Sequence, residues 1–134
     1  MPAGTEESGK RERVLELLEE EAFLRSQLTV TESDYRESVL ALVRLAQGDT
    51  SGSRTAAQVL LSLYDGSEWH MDLTDLGVLD WGYLQHALIV IRGRMVLGQS
   101  VEAVIDDGDQ VFRRLCELWA NLRNDRRHAK RYDG

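Results

Sequence analysis

Apolar residues recur at helical spacing along most of the chain, and the phase of that recurrence delimits the elements. Val14, Leu17, Leu18, Leu24 and Leu28 form a stripe near period 3.5 that predicts a helix over 10–28, with Glu16, Glu19, Glu20 and Arg25 turned elsewhere and Glu21 interrupting it. Such a stripe is satisfied by docking on the core or on a second copy of the chain. Thr31 and Asp34 have the spacing of a capping box, with Asp in place of Glu or Gln. Behind them Tyr35, Val39, Leu42, Val43 and Ala46 keep one face for three turns, and Gly48 stands where a C-terminal cap belongs. Ser53 can cap a third helix through Tyr64, with Ala56, Val59, Leu60, Leu63 and Tyr64 inward and Asp65-Gly66 as its stop.

The pattern then breaks over residues 66–80. Asp72 and Gly77 bracket a short helical turn, and Asp80 caps a further helix in which Trp81, Leu84, Leu88, Ile91 and Met95 share a face expected to be buried. Gly93 weakens the end of that helix. Residues 96–109 read either as a short turn capped by Ser100 or as an extended stretch, because Val101, Ala103 and Ile105 alternate. Asp109 can open a last helix whose face holds Val111, Phe112, Leu115, Leu118, Trp119 and Leu122. The expectation is an all-α, single-domain bundle of about five helices over 10–122. Residues 1–9 are expected to be disordered, and 123–134 to form a basic tail or helix extension. Leu42, Leu60, Leu63, Leu88, Ile91, Leu115 and Trp119 are the expected core.

Composition supports this and narrows the chemistry. With 134 residues, 43% hydrophobic and 29% charged, one core is affordable without disulfide or metal. The only proline is Pro2, so no helix need be broken by one. The single cysteine, Cys116, allows no internal disulfide and reads as a small core residue. No apolar run approaches the ~20 residues of a membrane span, and the charged N-terminus is unlike a signal peptide. The cytoplasm is the expected location.

Net charge is −7, and the five basic residues from Arg123 onward, against Asp125 and Asp133, leave −10 on residues 1–122. An acidic body repels nucleic-acid phosphates and attracts basic protein surfaces, so nucleic acid is an improbable partner and a basic protein a suitable one.

Metal and catalytic motifs fail on inspection. An EF-hand loop built around Gly108 would place Ala103 and Arg114 at its two end positions. His70 and Asp72 lack a third ligand at zinc spacing. No phosphate loop, nucleophile elbow or Cys-His pairing occurs, so neither enzyme activity nor a cofactor is expected. The helix beginning at Ser53 offers Arg54, Thr55 and Gln58 as base readers of a helix-turn-helix, opposed by the acidic body and by Ala56, Ala57 and Leu61. Trp69, among turn formers, either folds inward or meets a partner, burial being the commoner fate of Trp. Candidate partner contacts are Trp69, His70, Arg54, Glu19, Glu20, Asp106 and Asp107.

The strings GSRTAAQVLLSLYDG (52–66) and MDLTDLGVLD (71–80) resemble a family of small uncharacterised proteins carried on integrative and conjugative elements of proteobacteria. The matching positions are Ser53, Arg54, Asp72, Leu73, Thr74, Asp75, Leu76 and Asp80, while Gly77 replaces the family's usual aromatic. The resemblance runs from about Tyr35 to Leu122 and carries no catalytic assignment. It implies accessory cargo of a mobile element, a class that includes inhibitors of host defence such as anti-CRISPR proteins. The expected function is a non-enzymatic, acidic protein-binding module of that kind, with a DNA-associated regulator using the basic tail or the Ser53 helix as the alternative. A homodimer through the first helix is also expected to be possible.

Overall fold

The computed structural model describes residues 2–126. Five α-helices account for most of them: α1 (Pro2–Leu28), α2 (Glu32–Ala46), α3 (Ser51–Tyr64), α4 (Trp81–Leu97) and α5 (Gly108–Leu118). Two 3-10 segments, Leu73–Val78 and Ala120–Leu122, complete the order, and the described residues form no strand beyond one isolated bridge between Trp69 and Arg123. The all-α class is as the periodicity indicates.

α3 is the axis of the fold. Seven consecutive residues, Thr55 to Leu61, are buried, which a helix achieves only when covered on all sides. Here α2, α4, α5 and the first 3-10 segment all pack on it. Thr50 caps it, its hydroxyl accepting from Ser53 N–H at 3.0 Å, so the cap lies three residues before Ser53. Ser53 is itself buried, bonded to the Thr50 hydroxyl. Gly48 is no left-handed cap, since Gln47 ends α2 in right-handed geometry. Gly48 is needed because a Cβ there would lie 2.7 Å from Ser53 Oγ.

α2 is capped by Thr31, as the sequence indicates, and buries Tyr35, Val39, Leu42, Val43 and Ala46. It runs antiparallel to α4, with Tyr35 beside Gly93 and Ser38 Oγ 2.9 Å from His86 Nδ1. A Cβ at Gly93 would sit 2.4 Å from the Tyr35 ring, so this glycine is the notch that lets the two helices meet. Tyr35 donates its hydroxyl to the Gln99 carbonyl at 2.8 Å, and burial pushes its pKa up to about 12. Trp119 is half-buried and donates its indole N–H to the Ala46 carbonyl at 2.7 Å, satisfying one of the orphan acceptors at the end of α2.

Several expectations are corrected. The inner face of α4 is Ala87, Val90 and Gly93, so Leu88 is 44% exposed and Ile91 is half-buried, and Leu63 on α3 is half-buried too. Small residues face α2 because only they allow close helix approach. α1 begins at Pro2, so residues 2–9, expected without structure, extend the helix. Asp72 precedes its 3-10 segment without a side-chain cap bond, whereas Asp80 accepts from Tyr83 N–H at 2.9 Å and caps α4. Residues 98–107 are neither helix nor strand: Gly98, in left-handed geometry at φ 69°, ends α4, and a series of turns follows. The basic tail beyond Arg126 lies outside the described residues.

Candidate functional site

The turns between α4 and α5 are anchored from below. Val101, Val104 and Ile105 are buried at i, i+3 and i+4, which leaves Glu102 half-buried and Ala103, Asp106 and Asp107 on the outside. Gly108 fixes the path, because a Cβ there would fall 1.7 Å from the Glu102 carbonyl oxygen. Ser100 donates its hydroxyl to the Glu102 carboxylate. Asp107 takes the position before α5 in left-handed geometry, φ 54°, a conformation that Asp tolerates better than most residues. It therefore replaces Asp109 as the residue that opens the helix, yet its carboxylate makes no capping bond.

The outcome is an acidic rim. Glu102, Asp107 and Asp109 line an open depression with Ala103, Ile105, Gly108 and Gln110, and exposed Asp106 adjoins them. None of the four carboxylates forms an ion pair among the described residues. Carboxylates without ion-pair partners, held on the turns and the first turn of α5, produce a local negative potential suited to a cationic surface. Among the described residues no three His, Cys, Asp or Glu side chains are placed to hold a metal ion. A second, smaller depression between α2 and α4 is lined by Arg44, Asp80, Tyr83 and His86.

The sequence candidates lie on four separate elements. Glu19 and Glu20 are exposed on α1, Arg54 is exposed at the start of α3, and Trp69 and His70 sit in the loop after it. Only Asp106 and Asp107 join a cluster, to which Glu102 and Asp109 are the additions. The string Asp106-Asp107-Gly108-Asp109 carried that signal, whereas Glu102 is brought in by the turn.

Trp69 is 4% exposed, so its indole belongs to the core and is not available as a contact. The loop holding it is tied to the segment that follows the last 3-10 turn, with Asn124 N–H donating to the Glu68 carbonyl at 3.0 Å and the Asn124 amide to that of Ser67 at 3.1 Å. Arg123 pairs with Asp125 and Glu68, so the first cation of the tail already has carboxylate partners. His70 remains exposed beside the buried indole.

The two segments that stand out in the sequence turn out to be partners. Gln58, 2% exposed, donates to the Asp75 carboxylate at 2.9 Å and accepts from Asp72 N–H at 3.4 Å, while Thr55 donates to the Asp75 carbonyl at 3.4 Å. Thr55 and Gln58 thus hold the Asp-Leu-Thr-Asp segment against α3 and are turned away from any DNA groove. Cys116 is half-buried, and burial, reinforced by the Asp65 carboxylate, raises its pKa, which keeps the thiol protonated. Asp65 has its own pKa lowered, chiefly by the hydrogen bond from the Ser67 hydroxyl.

These features define a small all-α domain with a polar clamp between α3 and the segment after it. The profile of the Family of unknown function (DUF7673) matches residues 36–120, and the chain belongs to that family. The match runs from within α2 through α5 and leaves α1 outside. No curated protein and no solved structure matches the chain.

Proposed function

We propose that the protein is a non-enzymatic binding module that docks its acidic rim on a basic protein surface. The observation that carries this reading is the carboxylate of Asp107. It occupies a helix-capping position without capping, beside Glu102, Asp106 and Asp109, and among the described residues none of the four is in an ion pair. Carboxylates so placed steer a cationic partner and set its register. In its sharpest form the module is cargo of a mobile element that inhibits a host defence complex from within the cytoplasm, as anti-CRISPR proteins do. The small size, the charge of −7 and the sequence resemblance support that form.

Affinity capture with the wild type and with an Asp106→Lys/Asp109→Lys variant tests it. The wild type should retain a basic protein that raised salt releases, and the variant should lose it while keeping its helical circular dichroism. Equal capture by both proteins, or tight duplex-DNA binding at ~150 mM salt, where the Debye length is ~8 Å, would overturn the reading.

A further inference from the structure

α4 has two apolar faces, and the chain covers one. Trp81, Leu84, Leu88, Ile91 and Met95 fall at i, i+3, i+7, i+10 and i+14, the spacing of a helix that pairs with another helix. Trp81 is 87% and Met95 67% exposed, and Leu84 and Ile91 border the core. α1 repeats the pattern with Val14, Leu17, Leu24 and Leu28, every one of them more than half exposed, and with Glu21 at i+7. Each stripe spans fourteen residue steps, ~21 Å at a rise of ~1.5 Å. Among the described residues α1 forms no extensive interface with another element. A helix depends mainly on tertiary packing of its apolar face for stability, so an uncovered stripe on α1 and a partly covered one of equal length on α4 ask for a common solution.

The geometry points to reciprocal exchange: α1 of one copy lies along the outer face of α4 of a second copy. Charge favours this pairing. Residues 14–28 carry Glu16, Glu19, Glu20 and Glu21 against Arg25, whereas α4 carries Arg92 and Arg94 and no carboxylate. Centring the stripes sets Glu21 against Leu88, one turn from exposed Arg92.

The two other ways of covering α1 are disfavoured. Self-pairing of α1, parallel or antiparallel, brings the central Glu21 of both copies together in an apolar seam, where like charges repel. Folding back within one chain must carry α1 across the width of α4, about 10 Å. Only Thr29, Val30 and Thr31 are available for that, and Thr31 is engaged as the α2 cap while Val30 is buried. A two-fold exchange buries both stripes twice and closes the assembly. The pairing does not involve the acidic rim, so it stands or falls separately from the proposed function.

Light scattering on the full chain, followed by thiol cross-linking, tests the inference. The expected mass is 30.4 kDa, twice the 15.2 kDa of one chain. Leu17→Asp/Leu24→Asp on α1 and Leu88→Asp on α4 should each halve it without changing the circular dichroism of the body. In a Cys116→Ala background, Glu21→Cys and Leu88→Cys chains are mixed and treated with a short bis-maleimide. The mixture should give a product joining one chain of each kind. A wild type that stays at 15.2 kDa at every concentration overturns the inference. So does a product formed by Glu21→Cys chains alone, or a link within one chain carrying both substitutions.

Discussion

The two faces of α4 differ in size of residue more than in polarity. The inner face presents Ala87, Val90 and Gly93 to α2, and the outer face presents Trp81, Leu88 and Met95 to solvent. A periodicity argument ranks the outer face first because its residues are larger and more apolar. The fold selects the inner one because the Tyr35 ring of α2 fits only where α4 presents no side chain, at Gly93. Burial on this helix therefore follows shape. Large apolar residues on the face left open are a binding surface in waiting.

Perturbing each side of that contrast should give graded effects. The largest belongs to the axis against which α4 packs: Leu60→Ala, at a fully buried site on α3, should cost ~2–5 kcal/mol in denaturant unfolding. Next comes the notch. Gly93→Val places a branched side chain where even a Cβ meets the Tyr35 ring at 2.4 Å, and overpacking should cost roughly 2–3 kcal/mol. If Gly93→Val melts with the wild type, shape does not select the inner face.

Gln58→Ala leaves a buried clamp half-made, with the Asp75 carboxylate and Asp72 N–H losing their partner. About 1–3 kcal/mol should be lost, with hydrogen exchange rising first in residues 72–78. Tyr35→Phe is milder. It removes the bond to Gln99, about 1 kcal/mol, and it changes the alkaline limb of stability. Tyr35 has its pKa raised from 10.0 to about 12 by burial, which favours the neutral phenol in the folded state. Its contribution is complete below pH 10 and fades as pH climbs towards 12. Tyr35→Phe should flatten the fall in melting temperature across that window, although Tyr64, also raised by burial, keeps part of the slope. An unchanged slope would show that the phenol ionises freely in the folded protein.

What could be read from the sequence follows the same physics. α2 is legible because a one-sided stripe capped at Thr31 has one interpretation, and α3 is legible as a helix ended at Asp65 but not as one covered on all sides, since polar Thr55 and Gln58 are buried among its apolar residues. α4 was legible as a helix and not in orientation, since apolar residues surround it and only the partner's surface decides which side is covered. Residues 96–109 leave a turn and an extended stretch open because Val101, Ala103 and Ile105 alternate, whereas the residues buried are Val101, Val104 and Ile105 and Ala103 is exposed. Gln58, a candidate base reader by sequence, is buried, and its partner Asp75 lies seventeen residues away, beyond the reach of helical periodicity. Asp107 was hidden by Asp109, an equally good cap two positions on.

The smallest effect is also the most discriminating. Leu88 is 44% exposed and touches the core little, so Leu88→Ala should cost the folded body under ~0.5 kcal/mol, as surface substitutions do. That value should be seen when α1 is already disabled by Leu17→Asp/Leu24→Asp. With α1 intact, the same substitution should cost more, and the excess should grow with protein concentration, because it then removes contacts made by a second copy. The difference between the two backgrounds is a coupling energy, and residues in contact give ~0.5–3 kcal/mol. A coupling of zero would mean that the two stripes never meet, leaving the outer face of α4 to a partner of another kind. A cost above 2 kcal/mol in both backgrounds would instead place Leu88 in the core and reverse the contrast between the two faces.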